Sequence, residues 1–266
     1  MAIKKYFKIY LYLIRFFFIR VTTYRISFFI ELGVELGYLV WTLVFFNVIY
    51  SQVNEVAGWS KDEMYFLVGL SVFSFELILA LIFVDGLRRL PQIVNHGEFD
   101  FILLKPVNSL FFVSFGAPYL SGLLSSLIGI YLMIYSLIKT AVALNLINVL
   151  SFFVIYASGL VITYCLCVIF SSLVFIFPNS YLLVRVGLQV LNFSDYPQNI
   201  YKNQVLRILL FIMVPVIFFT SIPAETIIKG VNYSYLALSV IMATVFFILT
   251  NLIWNKLVKR YSSASS

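Results

Sequence analysis

The chain has 266 residues, of which 62% are hydrophobic and 11% are charged, and its formal net charge is +7. Because a soluble domain carries about 25% charged residues, this composition excludes an ordinary water-soluble globular protein. The positive charge favours contact with the inner face of a membrane, where anionic lipids attract basic segments, over nucleic-acid binding. The length fits a single membrane domain, residues 1–266, without a separate soluble catalytic domain.

The N-terminal segment, residues 3–25, combines basic and apolar residues with a helical period. At about 100° per residue, Lys4, Lys8 and Arg15 fall on one side of a helix, and apolar residues fill most of the remainder. Such a helix lies in the membrane interface with its apolar side towards the lipid. The alternative interpretation is an inner extension of the first membrane span.

Six apolar stretches are long enough to cross a bilayer, which takes about 20 helical residues. We expect these spans near residues 28–50, 64–84, 109–138, 147–177, 204–221 and 233–254. Pro215 lies inside the fifth span, and Pro118 is expected to break the third near its inner end. Trp254 is expected at the membrane surface, where aromatic residues are enriched. The sequence therefore predicts an all-α integral membrane protein with six transmembrane helices.

Lysine and arginine are distributed unevenly between the segments that join these spans. With the N-terminus inside, 15 of the 18 basic residues lie in inner segments, and the others are Lys61, Lys139 and Lys229. Since cytoplasmic loops carry an excess of Lys and Arg, we expect a multi-pass protein of the cell membrane with both termini in the cytoplasm. In this topology, segment 178–203 lies inside and carries a short surface helix, and residues 261–266 form a disordered tail.

The inner segment 85–108, DGLRRLPQIVNHGEFDFILLKPVN, contains helix-boundary residues and an apolar run. Pro91 suits the first position of a helix and Gly97 suits the position past its end, which predicts a short helix between them. The apolar run 99–104 follows and stops at Pro106. Because an exposed segment this apolar needs a cover, it either docks a partner or rests on lipid headgroups.

Three acidic residues fall within the predicted spans, Glu31 and Glu35 in the first and Glu76 in the second. Ionisable groups at membrane depth are costly and mark functional sites by default. Glu35 and Glu76 are expected at similar depth, about 10–12 Å from the inner end of their spans. Two interpretations stay open: an acidic patch on a substrate pathway, or carboxyl groups that are neutral or hydrogen-bonded between helices.

Small residues in the first span suggest a helix contact. Gly33 and Gly37 form a small-xxx-small pair, a spacing that lets membrane helices approach each other closely. Such a pair is suited to packing a dimer, although the same spacing is common in membrane spans.

No residue pattern supports chemistry in this chain itself. Cys165 and Cys167 point apart on a helix and cannot bridge each other, and the single histidine, His96, has no neighbouring ligand cluster. No Gly-Lys-Ser/Thr follows a glycine-rich loop, so the phosphate cradle of a P-loop is absent. We therefore predict no catalytic residue, metal site or cofactor here, and ATP-driven activity would require another polypeptide.

Two stretches resemble the signatures of a known family. GEFDFILLKPVNSLF, residues 97–111, resembles the inner-loop signature of bacterial ABC type-two transporter permeases. Residues 196–230 resemble the late signature of the same family, in which a Tyr-Pro turn leads into a proline-containing span and then a Pro-Ala step before an outer helix. The six-span plan and the amphipathic start also match, so the resemblance covers nearly the whole chain.

This resemblance implies a permease subunit of an ATP-driven ABC exporter in a bacterial inner membrane. The permease would form the substrate pathway, and a separate ATPase subunit would bind ATP and Mg. A second copy of this chain or a homologous permease would complete the transporter, with the first, second and fifth spans at the dimer face and pathway. Two alternatives stay open: a non-transporting membrane scaffold or assembly factor that docks a partner through the inner loop, and a membrane-embedded enzyme.

The resemblance also assigns residues. Those of the loop that meets the ATPase are Gly97, Asp100, Lys105 and Pro106, and those of the late signature are Tyr196, Pro197, Pro215, Pro223 and Ala224. Pro91 and Glu98 belong to the same inner segment and are added to the coupling residues. Glu35 and Glu76 are the candidates for the substrate pathway.

Overall fold

The computed structural model describes residues 2–23, 25–78, 84–115, 122–177 and 181–261, and most of them are helical. The α-helices of these residues are α1 (Ala2–Thr23), α2 (Arg25–Tyr50), α3 (Lys61–Ile78), α4 (Val84–Asn95), α5 (Phe99–Leu103), α6 (Ser109–Phe115), α7 (Gly122–Thr140), α8 (Leu146–Ser172), α9 (Tyr181–Gln189), α10 (Gln204–Ile208), α11 (Ser221–Lys229) and α12 (Tyr233–Val258). Two short strands, β1 (Glu55–Val56) and β2 (Trp59–Ser60), pair antiparallel between α2 and α3.

Three helical stretches of the described chain are long and apolar enough to cross a membrane: Leu32–Tyr50, Leu146–Phe175 and Tyr233–Val258. They correspond to the predicted first, fourth and sixth spans. The predicted second span corresponds to α3, and the third to α6 and α7, while its predicted break at Pro118 lies outside the described residues. The expectation of a helical multi-pass membrane protein is therefore confirmed, whereas the number of six spans stays a prediction.

Two glycines allow α3 and α7 to pack in direct backbone contact. A Cβ atom added at Gly69 would lie 2.7 Å from the carbonyl oxygen of Gly129, and one added at Gly129 would lie 2.6 Å from that of Gly69. By contrast, Cβ atoms at Gly33 and Gly37 would meet nothing within 4 Å. The predicted small-xxx-small pair therefore lies on an open face of α2 within this chain.

The predicted fifth span, residues 204–221, is not a continuous helix, so this expectation was wrong. A π-helical turn, Leu209–Met213, follows α10, and the chain then extends through Pro215 to a short 3-10 turn, Val216–Phe218. Proline lacks the backbone N–H that a helix needs, and its ring clashes with the preceding turn, so the helix ends before it.

The helix that the family resemblance implies after this span is observed as α11. Pro223 lies in its first turn, and Gly230 follows its last residue with φ of +97°. Proline tolerates the first turn because its missing N–H has no partner there, and glycine adopts the left-handed conformation past a helix end without a steric penalty.

A two-residue turn joins β1 and β2 and contacts the end of α11. Ala57 and Gly58 both have positive φ, as this kind of hairpin turn requires. The Lys229 ammonium donates to the Gly58 carbonyl at 2.6 Å and lies 4.8 Å from the centre of the Trp59 ring. The C-terminal end of α11 is thereby fixed at the same end of the molecule as the hairpin.

The segment after α9 enters the helical bundle, which corrects the expectation that all of residues 178–203 lie at the inner surface. The Ser71 hydroxyl donates to the Asp195 carboxylate, and the Gln198 amide donates to the Glu225 carboxylate of α11. Ser71 lies about 15 Å along α3 from the hairpin, well inside that helix. Hydropathy missed this excursion because the segment is short and carries polar residues that bond to the spans.

Candidate coupling segment and acidic pathway

The inner segment begins with α4, which is longer than predicted. It covers Val84–Asn95, and Pro91 is buried in its interior instead of starting it, so that expectation was wrong. The helix continues on both sides of the proline because its apolar side, including Leu87, Leu90 and Val94, is buried in the protein core. Pro91 therefore supports the segment from within and is not part of its exposed surface.

Gly97 ends this helical stretch as predicted. It lies two residues beyond α4 with φ of +74°, and its N–H donates to the Val94 carbonyl at 3.2 Å. The left-handed conformation strains residues that carry a Cβ atom, so glycine is favoured here. The chain turns at this position and leads directly into α5.

The short helix α5 has one buried face and one exposed face. Phe99 and Ile102, three residues apart, are buried, whereas Phe101 and Leu104 are 69% and 81% exposed. A spacing of three residues places side chains on the same face of a helix. The apolar run 99–104 is thus divided: part of it anchors the segment, and part of it forms an apolar surface patch.

The anchor of α5 is a cluster of aromatic rings. The Phe99 ring lies 5.2 Å from that of Phe175, 6.5 Å from that of Trp254 and 5.1 Å from that of Tyr261, measured between centroids. Trp254, which is expected near the membrane surface at the inner end of its span, is buried among aromatic rings near the end of α12. Tyr261, assigned to a disordered tail, packs in this cluster, while residues 262–266 lie outside the described chain.

Charged and polar groups border the exposed patch of α5. Glu98 is exposed immediately before the helix, and Asp100 is half-buried in its first turn. Lys105 follows the helix with its ammonium 3.6 Å from the centre of the Phe112 ring, and partial burial lowers the pKa of this lysine. The apolar patch thus lies between carboxylates and a cation, a combination suited to a protein partner.

Helix α1 contacts the end of the inner segment. The Lys5 ammonium donates to the Pro106 carbonyl at 2.8 Å, and the Asn108 N–H donates to the Tyr6 hydroxyl at 3.3 Å. The rings of Tyr6 and Phe111 pack edge to face, 4.7 Å apart. The amphipathic N-terminal helix was predicted at 3–25 and is observed at 2–23, but this docking could not be read from its period.

The two glutamates proposed for the pathway lie on α2 and α3. Glu35 and Glu76 are close enough for their charges to interact. One carboxylate oxygen of Glu76, Oε2, is buried without a hydrogen-bond partner among the described residues. The side chain of Glu31 lies outside the described part of the chain. Two neighbouring carboxyl groups, one with a buried and unpaired oxygen, are costly for stability, which is typical of a functional site.

The two ends of the late signature, residues 196–230, lie close together in the structure. Tyr196 lies at the surface of α2, its ring 6.5 Å from that of Phe46, while Pro197, Pro215, Pro223 and Ala224 are buried. The Thr220 hydroxyl donates to the Ser194 carbonyl at 2.7 Å and so ties the start of α11 to the Tyr-Pro turn. Both ends of the signature therefore form one unit.

Sequence reasoning did not single out Asp195, which lines a cavity beside this unit. The available signal was an acidic residue directly before the Tyr-Pro turn, between two apolar segments. Sequence reasoning also missed the anchoring role of Phe99, because periodicity cannot assign faces within a helix of five residues.

Comparisons with known proteins give one finding. No curated protein and no solved structure matches this chain. The model of a family described as ABC-2 family transporter protein matches residues 36–265, which include the inner segment, Glu76 and the late signature, while Glu35 lies one residue before the match. The chain therefore belongs to the ABC-2 family of transporter proteins.

Proposed function

We propose that this chain is the transmembrane permease subunit of an ATP-driven exporter and that it couples to a separate ATPase through residues 84–106. Family membership supports the transport role. The observation that carries the coupling is the division of α5, in which Phe101 and Leu104 are exposed while Phe99 is held in an aromatic cluster. An exposed apolar patch on a rigid anchor is what a docking surface requires.

The aromatic cluster around Phe99 connects α5 to the ends of two long helices, so that a movement of α5 can reach them. Phe99 contacts Phe175, which follows the end of α8, and Trp254, which lies near the end of α12. Close-packed aromatic rings transmit displacement because packed interiors yield little to compression. A partner that pushes on α5 would therefore shift the ends of α8 and α12 together instead of bending a loop.

ATP and Mg belong to the partner in this proposal. The chain offers an apolar patch bordered by Glu98 and Lys105, while ATP binding and hydrolysis take place on the ATPase. The basic inner segments favour an orientation with both termini in the cytoplasm, where the ATPase and anionic lipid headgroups meet α1 and α5. A second copy of this chain, or a homologous permease, is expected to complete the complex.

The substrate pathway is expected along α2 and α3. Glu35 and Glu76 are neighbouring acidic side chains on these helices, and the buried oxygen of Glu76 has no hydrogen-bond partner within the described chain. An ionisable group in this setting is suited to an ion or polar group that passes through, because a transient ligand satisfies it during transport.

The test is affinity isolation of the full chain from its native membrane in mild detergent, with measurement of ATP hydrolysis. We expect a stoichiometric ATPase whose association is lost when Phe101 and Leu104 are both replaced by Ser. The matched control is Leu252→Ser, which changes an exposed apolar residue of α12. We expect this variant to retain the ATPase. Isolation of the intact chain without an ATPase contradicts the proposal, and an ATPase that never supports transport favours the scaffold.

A further inference from the structure

A cavity lies between α2, α3 and the turn at Asp195, away from the coupling segment. Its volume is about 150 Å³, which is enough to admit a small organic molecule. The residues that line it come from two helices and the turn, and they are Tyr38, Trp41, Thr42, Phe45, Phe46, Val68, Ser71, Val72, Asp195 and Tyr196.

Aromatic rings form most of one wall. Tyr38, Trp41 and Phe45 follow one another on a single side of α2, with the spacing of three and four residues that shares a helix face. The rings of Phe46 and Tyr196 lie 6.5 Å apart and continue this wall. Ring faces carry partial negative charge and attract organic cations, and several rings around one space form the site that quaternary ammonium groups prefer.

An acidic side chain also lines the cavity. Asp195 is the charged residue among the described residues that line the cavity, and no lysine or arginine is among them. The Ser71 hydroxyl donates to one of its oxygens, which fixes the orientation of the carboxylate. Tyr38 is close enough for its hydroxyl to interact with the Asp195 charge. Rings and carboxylate thus meet at the same space.

The cavity opens at the surface of α2. Tyr38 is 61% exposed and Trp41 is 68% exposed, so the aromatic wall reaches the surface of α2. Glu35 lies one helical turn before Tyr38 and is close to Glu76. Two further acidic side chains therefore lie near the aromatic wall.

We propose that this cavity binds a small organic cation of the quaternary ammonium class, which is the substrate of the permease and so rests on the function proposed above. Its alkyl groups would lie against the rings of α2 and Tyr196, and its charge would face Asp195. A metal ion fits poorly, because Mg or Ca requires six or more oxygen ligands and aromatic carbon fills this wall. The Ser71 hydroxyl and the neighbouring rings hold the carboxylate in place before the ligand arrives.

The test uses the full chain together with the ATPase that co-isolates with it, reconstituted in nanodiscs. Choline is the probe, and its carbon isostere, in which carbon replaces the quaternary nitrogen, is the neutral control of equal shape. Titration calorimetry measures both. We expect choline to bind and the isostere to bind at least about tenfold more weakly, because the isostere has no charge for the rings and the carboxylate to attract.

Two variants assign the binding to this cavity. Asp195→Asn and Trp41→Leu are each expected to weaken choline binding at least about tenfold while leaving the isostere unchanged. Asp62→Asn makes the same chemical change on α3 outside the cavity and is expected to bind choline normally. A native elution profile and retention of the ATPase show that each variant is folded, and Trp41→Leu keeps the test decisive where Asp195→Asn does not fold.

The outcomes separate this proposal from the one on which it rests. A complex that contains the ATPase but binds neither ligand, or binds both equally, overturns the cation site and leaves the permease proposal intact. Choline binding that survives both cavity variants also overturns it. Selective choline binding by a chain that never associates with an ATPase supports the site and contradicts ATP-driven export.

Discussion

Phe99 of α5 and Trp254 of α12 lie with their ring centroids 6.5 Å apart and their planes at 73°, an edge-to-face contact between the inner segment and a span. Phe99 is separated from Trp254 by most of the chain, so this contact fixes α5 to the bundle through tertiary packing and not through local sequence. The exposed residues of α5 therefore belong to a rigid surface, whose movement is the movement of the spans behind it.

The two phenylalanines of α5 are expected to separate stability from docking. Phe99→Ala removes a fully buried ring and should lower the free energy of unfolding by about 3–5 kcal/mol, because a cavity is left in the aromatic cluster. Phe101→Ala removes an exposed ring from the same helix and should change that free energy by about 0.5 kcal/mol or less.

Thermal unfolding in detergent gives the melting temperatures of the two variants. Affinity isolation gives the amount of ATPase that each variant binds. Phe101→Ala is expected to melt like the parent protein but to capture less ATPase. Equal melting temperatures for the parent and Phe99→Ala would show that the aromatic cluster does not hold α5.

The glycine contact between α3 and α7 gives a second test of the fold. Gly69→Ala places a Cβ atom 2.7 Å from the Gly129 carbonyl oxygen, so the helices must separate, at a cost of about 1–3 kcal/mol. Gly33→Ala is the matched control, because its Cβ atom meets nothing within 4 Å. Melting temperatures check this difference, and the prediction fails if Gly69→Ala is as stable as Gly33→Ala.

Glu76→Gln is expected to stabilise the protein. A buried carboxylate oxygen without a hydrogen-bond partner in the described chain, close to Glu35, is more costly than a neutral amide of the same shape. Functional groups often cost stability in this way, and their removal raises it by about 0.5–2 kcal/mol.

The measurement is again the melting temperature, with Glu55→Gln in the exposed strand β1 as the control that should change nothing. A lower melting temperature for Glu76→Gln would mean that the carboxylate makes a structural bond, which would remove the main argument for its place on a substrate pathway.

Orientation is testable with single cysteines, since the native Cys165 and Cys167 are both buried. Val53→Cys places a thiol in the exposed loop before β1, and His96→Cys places one in the exposed turn after α4. In intact cells a membrane-impermeant maleimide should label position 53 at once and position 96 after permeabilisation. The reverse pattern would place the inner segment outside and contradict its contact with a cytoplasmic ATPase.

Much of the helical architecture was predictable because long apolar runs and helix-boundary residues are local signals. The first, fourth and sixth spans, α11 and the glycine at position 97 follow from composition, length and the conformations that proline and glycine allow. The inner segment was also identified from its sequence, since an apolar run bounded by Gly97 and Pro106 is unusual between spans.

The sequence did not predict which side of each helix is buried, or the irregular segments around Asp195 and Pro215. A membrane helix such as α12 is apolar all round, so hydropathy does not tell that Trp254 turns towards the protein core. The break at Pro215 and the entry of Asp195 into the bundle depend on long-range partners such as Ser71 and Glu225, which no local pattern reveals.

The most direct test of coupling is photo-crosslinking from position 104, where the side chain is 81% exposed on the patch of α5. A photo-reactive residue at 104 in native membranes is predicted to form a covalent adduct with an ABC ATPase, whereas the same residue at position 252 of α12 should not. Adducts at 104 to lipid or to unrelated proteins, with no ATPase among them, would contradict the account that α5 couples this permease to ATP hydrolysis.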